Sequence, residues 1–248
     1  MDRRYIASLL FRLSLITLAV LFSVRALYVV DGGVRVWCLA GLFGLSAAVL
    51  QRRPLVVPTP GRGSTVYNPA SAFFLAALFL IPAGPLVLAI AFAVGLAGLV
   101  TGTRPHKILL QLSIAILTFG GCSYWLKLGP RGDDPNVPPP ELIATEILLG
   151  AVVLITGLVL RSIAIRLERG EEAPHWGAFQ RPALIEALLC LALAVSISVL
   201  GRIHLALMSV VYVYLGFTCW LMERYRRHLR DLDHEPTEAS EDQGRWVA

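Results

Sequence analysis

Long apolar runs separated by short polar breaks set the pattern of this chain. The runs Leu9–Val30, Val36–Leu50, Pro69–Ile81, Pro85–Val100, Ile108–Leu126, Leu142–Leu160, Leu184–Leu200 and His204–Leu221 predict about eight transmembrane helices. The breaks are rich in arginine, proline and glycine: QRRPLVVPTPGRG reads as a loop, KLGPRGDDPNVPPPE as a second and RSIAIRLERGEEAPHWGAFQR as a basic connector. The expected fold class is an all-α polytopic integral membrane protein, with a transmembrane domain over 1–222. A polar cytoplasmic tail over 223–248 would continue the last helix for a turn or two and then be disordered.

The stretch from Ser71 to Val100 carries no charge. It is long for one helix and short for two. Ile81-Pro82-Ala83-Gly84-Pro85 breaks it, since two prolines and a glycine stop a helix and favour a turn. Charge gives the same answer. If the segment 69–100 folds back, the loops expected on the cytoplasmic side carry seventeen Lys and Arg and those opposite carry four. A single crossing would move the Arg161–Arg181 connector and the arginine-rich tail across and erase that asymmetry. The expectation is therefore a hairpin, either fully spanning or short and re-entrant, with both termini cytoplasmic in a multi-pass inner-membrane protein. At a rise of about 1.5 Å per residue, the first arm falls short of a bilayer core of about 30 Å.

Composition supports the membrane class. The 248 residues are 56% hydrophobic and only 16% charged, against about 25% charged in soluble domains, and the mean hydropathy is +0.68. The net charge of +5 reads as orientation charge rather than a nucleic-acid face, because no basic patch stands clear of the apolar runs. The basic N-terminus has no A-x-A-like cleavage site after its apolar run and reads as an uncleaved first helix. Cys38, Cys122, Cys190 and Cys219 form no C-x-x-C pair. They read as small packing groups, with neither disulfide nor metal site expected.

Candidate chemistry lies in the few charges within apolar runs, where ionisable groups are costly and usually paired. These are Arg25, Glu146, Glu186 and Arg202. Depth along the helices pairs Glu146 with Arg25 first and with Arg202 as the rival. Glu186 falls near Arg181 or Arg161. The alternative for each is a ligand or proton site. Asn68 and Ser71 open the hairpin, with Asn68 as helix N-cap and Pro69 at the first helical position. His106 and Lys107 suit headgroup contact, and His204 is a candidate pH-responsive group. Gly41, Gly44 and Ala47, and Gly95, Gly98 and Gly102, read as close-packing strings within one subunit. Arg224, Arg226, Arg227 and Arg230 follow the last helix and read as lipid anchors, with docking to a partner as the alternative. No P-loop, H-E-x-x-H, nucleophile elbow or haem-attachment string occurs, so no catalytic residue or cofactor is expected.

The order of three segments resembles a known family. SAFFLAALFLIPAGPLVLAI gives an apolar hairpin with a Pro/Gly turn, RPHKILLQLSIAIL a basic loop and helix, and LALMSVVYVYLGFTCWLMERYRRHL a last helix running into a charged one. This resembles the N-terminal membrane-sensor modules of bacterial diguanylate cyclases and HD-type phosphohydrolases, over roughly Ser64 to Leu232. Leu110-Gln111 departs from the Phe-Asn pair expected in that family, and no G-G-D-E-F-like or H-D…G-Y-P-like string is present. The resemblance implies a non-enzymatic, sensor-like module without an output domain, acting through a protein partner in the membrane or cytoplasm. A small-molecule transporter and a structural accessory subunit are the alternatives.

Overall fold

The computed structural model describes residues 3–28, 33–52, 55–59, 63–67, 69–126, 140–169 and 176–203, and beyond these 212–213, 216–217, 220–221 and 224. Met1–Leu205 and Ala206–Ala248 are two compact units. In the first, the elements are α1 (Arg3–Tyr28), α2 (Val34–Arg52), β1 (Leu55–Thr59), β2 (Gly63–Tyr67), α3 (Ala70–Leu80), α4 (Ala83–Val100), α5 (Pro105–Ala115), a π-helical turn (Ile116–Gly120), α6 (Gly121–Leu126), α7 (Pro140–Arg169) and α8 (Trp176–Ile203). Among the described residues six helices are long and apolar enough to cross a membrane, and Ala70–Leu80 is a shorter apolar helix. The eighth expected span, His204–Leu221, falls largely outside the described residues.

Burial shows which solvent this bundle is built for. Leu148 is 70% exposed, Leu188 65% and Leu21 62%, whereas Glu146 and Ser198 are essentially inaccessible. Apolar side chains outside and polar groups inside are the arrangement that hydrocarbon demands and water forbids. The chain is an all-α polytopic membrane protein. α3 lies at the centre of the first unit, with nine of its eleven residues buried, and α2, α4 and α8 pack around it. Phe43 of α2 meets Phe73 at 6.5 Å and Phe74 meets Phe119 at 5.4 Å between ring centroids.

The glycines expected to pack helices act at particular points. A Cβ on Gly44 would stand 3.1 Å from the Ala89 carbonyl oxygen, and one on Gly98 would strike Ile108. Those glycines let α2 approach α4 and α4 approach α5. Gly102 does something else. It follows α4 at φ +64°, the Thr103 N–H bonds the Gly98 carbonyl at 2.9 Å, and the Gly102 N–H bonds that of Leu99 at 3.2 Å. This is a Schellman ending, and a left-handed residue with a Cβ costs about 1–2 kcal/mol there. Pro105 then opens α5 directly, so the chain reverses within four residues.

Two expectations change. QRRPLVVPTPGRG does not remain a loop. With the residues that follow, it forms an antiparallel hairpin pairing Leu55 with Tyr67, Val56 with Val66, Val57 with Thr65, Pro58 with Ser64 and Thr59 with Gly63. Valine, threonine and tyrosine favour strands, and a two-stranded ribbon has only edges, which tolerate Pro58. At α3, Pro69 is the N-cap rather than the first helical residue, and no side chain caps the end. Asn68 lies outside the described residues.

Candidate functional site

α3 ends because Pro82 has no N–H to offer Leu78 and the extended backbone at Ile81 and Pro82 carries the chain away. Ile81 gives the last backbone bond, to the Ala77 carbonyl at 2.8 Å. The carbonyls beyond are left without helical partners. Arg202, in the last turn of α8, takes one of them: its Nη2 donates to the Phe79 carbonyl at 3.3 Å. The same guanidinium nitrogen donates to Glu146 Oε1 of α7 at 2.5 Å, and the Ser198 hydroxyl donates to that oxygen at 3.0 Å. At the same end, Arg35 Nη2 of α2 reaches the Gly201 carbonyl at 3.5 Å.

This clamp corrects the expected pairing. Glu146 is held by Arg202 and Ser198, while Arg25 sits on an exposed face of the last turn of α1. Depth alone allowed both partners. The deciding fact is direction around the helix: Glu146 faces α8, where Ser198 and Arg202, four residues apart, share one face. That pair, a serine and an arginine on one face of the last two turns, is the signal in the sequence that singles out α8.

The clamp also places the hairpin tip. The ends of α3 and α8 and the starts of α2 and α7 come together, so α3 reaches that end of the bundle. Its shortness appears at the other end. There, beneath Ala70, Ser71 and Phe74, lies a cavity of about 450 Å³ whose polar groups are Gln51, Ser71, Thr101, Thr103 and Gln111. Ala97 and Gly98 of α4 and Ala164 of α7 complete its walls. α3 spans about 16 Å and α4 about 27 Å at a rise of about 1.5 Å per residue; the difference is the space the cavity occupies. Among the described residues, the lining contains no Asp, Glu, His, Cys, Lys or Arg, and those residues offer a charged ligand no counter-charge.

A smaller cavity, about 50 Å³, adjoins it along Ser71, Ile114, Ala115 and Phe119. Glu186 lines this one, together with Thr118 and Cys190. Sequence reasoning places Glu186 and Ser71 among the candidates but misses Thr118, because nothing in the string ILTFG announces a π-helical turn.

Arg224 lies in the second unit. It stands 5.4 Å over the Trp220 ring, which stacks on Phe217 at 5.8 Å. An arginine whose guanidinium lies over a tryptophan ring suits a membrane-interface anchor. Arg226, Arg227, Arg230, His204 and Cys219 lie outside the described residues, as do Asn68 and the side chains of Arg161 and Arg181. Cys38, Cys122 and Cys190 are not in disulfides. Among the described residues, no three His, Cys, Asp or Glu side chains gather to hold a metal ion. Set beside known proteins, the chain matches no family model, no curated protein and no solved structure.

Proposed function

We propose that this chain is a non-enzymatic, sensor-like regulatory module of the inner membrane. It binds a neutral amphiphile in the cavity below α3 and passes that occupancy to a protein partner. The cavity carries the reading. Its volume falls within the range of small-molecule sites, about 300–1,000 Å³. Its lining joins apolar walls to a ring of neutral hydroxyls and amides, and among the described residues no His or carboxylate stands in that lining to act as an acid or base. The expected result is co-purification of a neutral amphiphile, enriched over the bulk lipid extract by mass spectrometry. Ala97→Phe or Ala164→Phe, filling the cavity from α4 or from α7, should each remove it. Identical small-molecule profiles for the wild-type and filled proteins would rule the reading out.

The arginine distribution supports an orientation with both termini cytoplasmic, which puts the cavity on the cytoplasmic side and the Arg202 clamp on the other. Single cysteines replacing Arg62 and Val34, which is 81% exposed at the start of α2, in a cysteine-free protein, test it. A membrane-impermeant maleimide added to intact cells should label the second position and spare the first. The reverse pattern would invert the topology.

A transporter is the second reading, favoured by the short, uncapped α3 beside a π-helical turn, since broken helices line many transport sites. Flux of the co-purified molecule across proteoliposomes separates the two readings, because a regulatory module binds without translocating.

A further inference from the structure

Seven hydroxyls in the apolar helices return their proton to the carbonyl four residues back. Ser14, Ser23, Ser46, Ser113, Thr145, Thr156 and Ser196 all do so, at 2.7–2.8 Å. Thr118 does not. It sits in the π-helical turn Ile116–Gly120, where the wider i→i+5 winding takes the carbonyl four back out of line. Its side chain is buried, at 2% exposure, and Oγ1 has no hydrogen-bond partner. A buried hydroxyl without a partner is costly and calls for an explanation.

The space it faces is shaped for one. Across from it, α7 carries Gly157, where a Cβ would stand 3.2 Å from Thr118 Cγ2; the missing side chain leaves room beside the hydroxyl. The cavity of about 50 Å³ there is lined by Ser71, Thr118 and Glu186 among apolar groups. One water needs roughly 10–15 Å³ by this measure, so a small polar head with a few methylenes fits.

We infer that this cavity binds the head of a neutral amphiphile bearing a hydroxyl or primary amide, with the Thr118 hydroxyl as its hydrogen-bond partner. A carboxylate or phosphate head would face the Glu186 carboxylate. An ammonium head would bring three donors to a site whose one acid is already engaged within the protein. A hydroxyl or amide both donates and accepts, matching Thr118 and Ser71. The shared wall of Ser71, Ile114, Ala115 and Phe119 lets the rest of the molecule continue into the larger cavity. This inference rests on the proposed binding of a neutral amphiphile and adds its head chemistry and its recognition residue.

The test uses four photoprobes with the same diazirine-bearing eight-carbon chain and an alcohol, amide, ammonium or carboxylate head. They are applied to the full-length protein in nanodiscs, and labelled peptides are mapped by mass spectrometry. The alcohol and amide should label 113–123 and 153–158, about tenfold above the two charged heads. Thr118→Val keeps the shape and removes the hydroxyl. It should raise the melting temperature of the unliganded protein by a few degrees and cut alcohol labelling about tenfold. A lower melting temperature would mean the hydroxyl already has a partner, and unchanged labelling would mean the cavity holds water alone; either overturns the inference. If labelling of 97–103 around the larger cavity survives while 113–123 stays unlabelled, this inference fails and the binding reading stands. Loss of labelling at both places in the wild type ends both.

Discussion

Arg202→Leu will lower the stability of this protein by about 3–5 kcal/mol, the usual consequence of leaving one member of a buried ion pair without its partner. The loss has two parts. Glu146 is 1% exposed and would keep only the Ser198 hydroxyl. The Phe79 carbonyl, left over where α3 stops, would lose the guanidinium that takes its place in the backbone ladder. Glu146→Leu added to Arg202→Leu should recover most of the first part and none of the second. Arg25→Leu should show no such coupling to Glu146→Leu. A double-mutant cycle by chemical denaturation in detergent micelles measures both. Additive losses for Arg202 and Glu146 would show that the pair does not hold the helices together, and coupling to Arg25 would restore the pairing that depth suggests.

The second large effect separates inside from outside. Leu75 of α3 is fully buried and Leu148 of α7 is 70% exposed. Leu75→Ala should cost about 2–5 kcal/mol through lost packing and the cavity it leaves. Leu148→Ala exchanges one lipid-facing side chain for another and should cost less than about 0.5 kcal/mol. Leu148→Gln distinguishes lipid from water as the surrounding solvent. In water it is harmless or helpful; in hydrocarbon it leaves an amide without partners and lowers stability. Equal losses at Leu75 and Leu148 would contradict the central placement of α3.

Much of this arrangement is legible in the string of residues, for stateable reasons. The fold-back at Ile81–Pro85 is written in proline and glycine, and seven of the eight expected spans coincide with helices at the described positions. The hydrophobic runs also mark α3 as too short, and the structure turns that shortfall into a cavity. What the sequence does not give is direction around a helix. Glu146 lies as deep as Arg25 and Arg202 alike, and only the packing of α7 on α8 chooses between them. The strands β1 and β2 carry Val56, Val57, Thr65 and Val66, a β-branched signal masked by the prolines and glycines around it. Thr118 is the least legible. A π-helical turn depends on how one helix is wedged by its neighbours, and no local residue pattern encodes that.

The clamp also sets an order on the birth of the protein. Arg202 is separated by 56 residues from Glu146 and by 123 from Phe79. A ribosome adds about 5–20 residues per second, so the acid is made about 3–11 s before its guanidinium. Through that interval the nascent chain holds an uncompensated carboxylate and an unfinished helix end that only the last turn of α8 completes. Any product truncated before that turn keeps both defects and is marked, chemically, as incomplete.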